Sequence, residues 1–222
     1  MTATGLQSPP AGAAPARHPA RPAGLARLAW LHAVSRRVPV ALGLLAAFGV
    51  LLWAALYWRW NIAGGQAARM FIPLTVEAGP AAVISVTSYG PFREPERAAG
   101  RWLPWLRLTM TVLLIAAAAG ALAAGAAGGR LAGGSLALLR NLAGFTGIGL
   151  LTATALGGAF GWAGPMAYLL VTEVALQGHP TTPWVWAGRP AADRGAAICA
   201  CLVLAAGLAA ITLRGPREAL RE

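Results

Sequence analysis

The sequence predicts an all-α, polytopic membrane helical bundle of about six transmembrane helices, with both termini on the cytoplasmic side. Three observations predict it. Apolar residues make up 57% of the 222 positions and charged residues only 11%, against about 25% in soluble domains. Several apolar runs reach the ~20 residues that cross about 30 Å of hydrocarbon. Arginine supplies all 18 Lys and Arg residues, and most of these arginines flank apolar runs, where cationic residues set topology.

Residues 1–23, rich in Pro and Ala and poor in bulky apolar groups, read as a disordered cytoplasmic tail rather than a cleavable signal peptide. Residues 24–37 change character. Leu25, Leu28, Leu31 and Val34 recur at three-residue spacing, with Arg27, His32, Arg36 and Arg37 on the polar side. That pattern predicts a short amphipathic helix lying in the membrane interface.

A transmembrane domain follows over residues 38–213, and residues 214–222 form a cytoplasmic C-terminal tail. The first span is Pro39 to Tyr57, closed by the boundary aromatics Tyr57, Trp58 and Trp60. The second is Met70 to Tyr89, interrupted by Glu77, Gly79 and Pro80. The third is Leu108 to Ala127, and the fourth a long run from Leu136 to Phe160. A short fifth runs from Trp162 to Gln177, and the sixth from Ala196 to Leu213.

Arginine counts orient the bundle. With the N-terminus inside, the inner segments hold Arg17, Arg21, Arg27, Arg36, Arg37, Arg93, Arg97, Arg101, Arg107, Arg214, Arg217 and Arg221. The outer segments hold Arg59, Arg69, Arg130, Arg140, Arg189 and Arg194. The excess inside favours cytoplasmic termini. The formal charge of +11 is therefore a topology signal and not a nucleic-acid footprint, since no basic helix or nucleic-acid fold signature accompanies it.

The sequence points away from catalysis. It has no phosphate-binding GxxxxGK[ST] loop, no HExxH and no GxSxG. Its three histidines lie outside the expected spans, and Cys199 and Cys201 have no metal-ligand spacing. No catalytic residue, cofactor or metal site is expected. Two acids fall within spans, Glu77 and Glu173. An ionisable group at that depth costs a few kcal/mol on insertion scales, so both are candidate intramembrane polar sites. Each lines a polar path, bonds across helices, snorkels to the interface or pairs with an arginine such as Arg69. Small residues at four-residue spacing, Gly125 and Gly129, Gly157 and Gly161, Ala143 and Gly147, let helices approach closely.

The densest charge lies in the loop Gly90 to Arg107, where Arg93, Glu94, Glu96, Arg97 and Arg101 crowd one inner elbow. The run from Glu96 to Arg101 suits a short charged helix, with Trp102 and Trp105 anchoring its exit. With these residues the layout resembles the permease subunits of type-2 ABC exporters, including small actinobacterial-type membrane proteins of that kind. In that family an amphipathic helix precedes the first span, and the first inner loop carries a coupling helix. A re-entrant or short helical element precedes the sixth span. The corresponding places here are Gly24–Arg37, Phe92–Arg101 and Pro183–Pro190. The resemblance implies a plasma-membrane permease subunit, without catalysis of its own. Its partners would be a separate ATP-binding cassette ATPase, membrane lipid and a second permease copy or paralogue. Two departures stand out: Pro95 interrupts the coupling segment, and the stretch before the sixth span is short for a hairpin. The residues by themselves also fit a standalone small transporter or channel, or a membrane scaffold that transports nothing.

Overall fold

The computed structural model describes residues 37–57, 65–88, 103–127, 134–177 and 185–214. The charged elbow with Arg93, Glu94, Glu96, Arg97 and Arg101 lies outside these residues, as do the expected interfacial helix apart from Arg37, the N-terminal tail, the C-terminal tail apart from Arg214, and Trp58 and Trp60.

Every regular element among the described residues is helical. Six α-helices follow in order: α1 Val38–Tyr57, α2 Gly65–Thr87, α3 Leu103–Ala126, α4 Gly134–Leu156, α5 Ala163–Gln177 and α6 Arg194–Leu213. One 3-10 turn, Gly158–Phe160, leads into α5, and another, Trp186–Gly188, follows it. Among the described residues four stretches are long and apolar enough to cross a membrane: Val38–Tyr57, Arg107–Ala126, Gly134–Leu156 and Arg194–Leu213. The other two differ for reasons visible in their residues. α2 has 23 residues but contains Glu77, Pro73 and Pro80. α5 has 15 residues, and at 1.5 Å per residue it rises only about 22 Å.

Two expected boundaries are corrected. Glu77, Gly79 and Pro80 do not interrupt the second helix, which begins earlier, at Gly65, and runs unbroken to Thr87. Proline is tolerated in such helices when neighbouring elements cover the weakened backbone. Here the ring of Phe48 on α1 closes over Gly79, where any Cβ would collide with it. The fourth helix stops at Leu156 and does not continue to Phe160. Gly157 has φ 106° and ψ 151°, a region essentially restricted to glycine, and the chain turns there into the 3-10 segment.

The packing follows from small side chains. Lipid tails are as apolar as leucine, so association of helices depends on close van der Waals contact rather than on hiding apolar surface from water. α1 and α3 cross where a Cβ on Gly49 would lie 2.5 Å from the carbonyl oxygen of Ala121, and one on Gly125 would strike the carbonyl of Gly49. α4 and α6, the most extensively packed pair, cross at Gly147 and Gly207. Gly125 and Gly147, two of the small residues legible in sequence, therefore serve crossings within the chain. Around them Ala41, Leu45 and Leu52 of α1 pack with Val76 and Ile84 of α2. Leu114, Ala118 and Leu122 of α3 and Leu138 and Leu142 of α4 complete that core. A second cluster joins Leu74, Ala78 and Ala81 of α2 to Phe145 of α4 and Leu169 of α5.

Several hydroxyl groups inside the bundle are satisfied locally. Ser85, Thr87 and Ser88 donate to the carbonyls of Ala81, Val83 and Ile84, at 2.7, 2.6 and 2.9 Å. Thr111 and Thr152 bond back one turn in the same way. Such bonds let a polar side chain sit in a low-dielectric helix without a partner elsewhere.

Candidate functional site

The polar residue singled out in α2 anchors a buried chain of polar contacts that reaches the segment before α6. Glu77 lies near the middle of α2 and is only 4% exposed. Its Oε2 accepts a hydrogen bond of 2.8 Å from Nδ2 of Asn141 on α4. The neighbouring Arg140, 6% exposed, donates weakly from Nε to Oδ1 of Asn141 at 3.4 Å. The far side of its guanidinium faces the other way. Nη1 donates to the carbonyl of Pro190 at 2.8 Å, and Nη2 to the carbonyl of Arg189 at 2.9 Å. The planar fork of Arg suits two adjacent acceptors, and here it clamps two consecutive carbonyls.

The same segment closes on itself. Arg189 donates from Nε to Oδ2 of Asp193 at 2.6 Å, and its Nη2 lies 2.5 Å from the same oxygen. The other carboxylate oxygen of Asp193 accepts from the backbone N–H of Ala196 at 3.0 Å, which makes Asp193 the N-cap of α6. That amide, and then the Arg189 guanidinium, hold the Asp193 carboxyl below its usual range. Two acids and two arginines, Glu77, Asp193, Arg140 and Arg189, thus form one sequence of contacts from α2 through α4 to the start of α6. Glu77 and Arg140 are its buried members, and removing one buried charge is costly where the other loses its compensation.

Beside this chain the segment inserts an aromatic ring into the bundle. Trp186 is 3% exposed and stacks on Tyr168 of α5, with ring centroids 4.3 Å apart and planes 15° apart. Tyr168 meets Phe145 of α4 edge to face at 5.6 Å. Such pairs contribute about 0.5–1.5 kcal/mol beyond their area. Gly144 on α4 gives the indole its space, because a Cβ there would overlap the ring. The indole Nε1 has no hydrogen-bond partner among the described residues.

Of the sequence-predicted site residues, Glu77 belongs to this constellation and Glu173 does not: Glu173 sits half-buried on α5, apart from the polar chain. The five charged residues of the inner elbow lie outside the described residues. Arginine counting assigns Arg140 to the outer boundary, but the residue lies inside α4, where its length lets it reach the loop. Asn141, Tyr168, Trp186 and Asp193 are site residues that sequence reasoning misses. The adjacent polar pair Arg140 and Asn141 within an apolar run is the available signal, of the same kind that marks Glu77. Comparison of the chain with protein-family models, curated proteins and solved structures gives no match.

Replacing Gly144 tests the insertion of the indole. Gly144→Ala should displace Trp186 and destabilise the bundle by about 1–3 kcal/mol, the usual range for overpacking. The signal of Trp186 is isolated by subtracting the emission of a Trp186→Phe variant from that of its parent, once in the native sequence and once in Gly144→Ala. Acrylamide should quench that component in Gly144→Ala and spare it in the native sequence. Equal quenching would mean that the ring does not occupy the space over Gly144.

Proposed function

We propose that this chain is a six-span, multi-pass plasma-membrane subunit of an ABC-type exporter, with cytoplasmic termini. A separate ATPase would drive it, and a second copy or a paralogue would form the other half of the pore. The observation that carries the reading is the segment between α5 and α6. In the permease layout a re-entrant or short helical element belongs there. Val185 and Trp186 are buried in the bundle, the 3-10 turn Trp186–Gly188 is the only regular structure among its described residues, and Arg140 ties the segment down. Six helices in the expected order agree with the same layout.

The buried site also bears on where a cargo would travel. Glu77 and Asn141 bond to each other between α2 and α4, with Phe145 fully buried alongside. Among the described residues these side chains occupy the space between α2 and α4, which leaves the outer surface of the bundle, between two copies, for a path. This favours a half-pore over a standalone channel. A hydrophobic or amphipathic cargo suits the small and aromatic residues of α1, α2 and α5.

The test lies in the charged inner elbow. Reversing Glu96→Arg together with Arg97→Glu should weaken association with the ATPase by about 2 kcal/mol, the lower end for disrupted charge pairs at an interface. Insertion should persist, because Arg93, Arg101 and Arg107 still mark the inner side. The readout is co-purification of the ATPase whose gene is adjacent, at matched expression. Recovery equal to that of the native chain would end the coupling role, since solvated pairs contribute only about 0–1 kcal/mol, and would favour a standalone transporter or a scaffold.

A further inference from the structure

We propose that the turn between α4 and α5 is a membrane-surface anchor, with Phe160 and Trp162 seated in the lipid interface on the side where α6 ends. The proposal is independent of any transport role. Leu156, Ala159, Phe160 and Trp162 are exposed on this turn, and the two aromatic residues are each 49% exposed. The stretch from Leu156 to Trp162 reads LGGAFGW and carries no charged side chain. A turn that projects into water is ordinarily polar, and a surface that recruits a soluble partner by charge needs charges to do so. This one offers apolar rings and an indole N–H.

Packing sets the level of the turn. A Cβ on Gly147 of α4 would lie 2.6 Å from the amide nitrogen of Leu204 on α6, and one on Gly207 would lie 3.1 Å from Cβ of Leu150. Residue numbers rise together along this contact, so α4 and α6 run side by side in the same direction. Leu156 and Leu213 each lie nine residues past the contact of Gly147 with Leu204, so the two helices end level with each other. α6 ends in exposed Leu213 followed by exposed Arg214, the pattern of a membrane boundary. The turn then folds straight back. A Cβ on Gly161 would lie 2.9 Å from Cβ of Ser85 on α2 and 3.3 Å from Cβ of Ala153, so the chain has already returned alongside the last turn of α4.

The backbone of the turn suits the same place. The N–H groups of Gly157, Phe160 and Gly161 donate to the carbonyls of Ala153, Gly157 and Gly158, at 3.1, 3.0 and 3.2 Å. Pairing within the turn removes much of the cost of holding peptide groups against lipid. Aromatic rings collect at the headgroup level, where an indole keeps its apolar body in the chains and its N–H in water. α5 gives such an anchor its use. Its 15 residues rise about 22 Å, roughly 8 Å less than the hydrocarbon core. A helix too short to reach both boundaries sits at the depth of whichever end is held, and interfacial Trp is a residue that fixes depth.

The experiment uses the full-length chain in phosphatidylcholine nanodiscs, which leave both faces open to water. Cys199→Ala and Cys201→Ala remove the native thiols, and Ala159→Cys then carries an environment-sensitive fluorophore. A second chain carries the same label in the C-terminal tail, at Ala219→Cys. Emission from position 159 should be shifted to the blue of the tail label and resist quenching by aqueous iodide. A nitroxide near the lipid headgroup should quench it more than one at the end of the acyl chain. Phe160→Gln together with Trp162→Gln should raise iodide quenching at position 159 towards that of the tail. Equal iodide quenching at the two labelled positions overturns the proposal and leaves the turn as a surface for a soluble partner. Stronger quenching by the chain-end nitroxide also overturns it, by placing the turn in the hydrocarbon. A folded double variant with unchanged quenching removes the two rings as the anchor. Should the double variant fail to fold, the comparisons of iodide and nitroxide with Phe160 and Trp162 in place decide.

Discussion

Arg140→Met should destabilise the bundle by about 3 kcal/mol, the lower part of the range for removing one member of a buried charged set. Methionine keeps most of the length and packing of the side chain, so the loss reports on the guanidinium. That group holds the carbonyls of Arg189 and Pro190 and touches Asn141. Without it the segment before α6 loses its tie to α4, and Glu77 loses a cation that offsets its burial. Arg140→Lys should recover part of the loss, because an ammonium group lacks the planar fork that meets two adjacent carbonyls at once. Glu77→Gln should cost less than Arg140→Met, since its amide oxygen still accepts from Asn141. The double variant Glu77→Gln with Arg140→Met should fall short of the sum of the two by about 0.5 kcal/mol or more, as expected of members of one network. The measurement is the folded fraction on heating in micelles, followed by size-exclusion chromatography. A loss below about 0.5 kcal/mol for Arg140→Met, the level of ordinary surface changes, would remove the clamp from the account.

Glu77 and Arg140 differ in how far their surroundings are written in the sequence. Both stand in apolar runs, and both are visible as charges. Glu77 stands out in sequence as a candidate intramembrane polar site, with snorkelling and pairing left open, because it is an acid within an expected span. Arg140 lies close to the start of α4, where an arginine ordinarily faces a boundary, and counting places it there. Its burial depends on the segment 185–193 folding back over it, a contact made across about fifty residues of chain, as its bond to Pro190 shows. No local pattern encodes such a contact.

The helices themselves are legible because depth in a membrane is written in composition. α1, α3, α5 and α6 begin or end within a few residues of the places where apolar runs meet Arg, Trp or Gly. Facing is not legible. A helix that is apolar on all sides carries no stripe to mark its core face, and in α1 buried Leu45 and exposed Leu44 are neighbours of the same chemical type. Small residues mark close approaches without naming the partner. Gly125 meets Gly49, far away in sequence, and Gly129, its companion at four-residue spacing, lies outside the described residues. The break after α4 is hidden for a related reason. Gly157 and Gly158 look like two more small residues in a glycine-rich run, and only the backbone angle of Gly157 shows that the helix ends there.

A single type of substitution should therefore have opposite effects at different glycines. Gly147→Ala should cost about 3 kcal/mol, the upper end for overpacking. The new Cβ would lie 2.5 Å from the carbonyl carbon of Val203 and 2.6 Å from the amide nitrogen of Leu204. Both are backbone atoms of α6, so no side chain can turn aside, and α4 and α6 must separate along their whole contact. Gly207→Ala should behave similarly, because its Cβ would meet the carbonyl oxygen of Gly147 at 2.7 Å. Gly43→Ala and Gly120→Ala are the matched controls. Both positions lie within helices, in α1 and α3, and a Cβ there meets nothing within 4 Å. At these sites alanine should stabilise by up to about 1 kcal/mol, since it favours the helix over glycine by that amount. All four variants are compared by thermal unfolding in the same micelles. If helix crossings at Gly147 and Gly207 hold the bundle together, the two pairs separate by about 3 kcal/mol or more. If all four shift alike, helix propensity alone governs these positions, and the close packing of α4 on α6 is not what stabilises the fold.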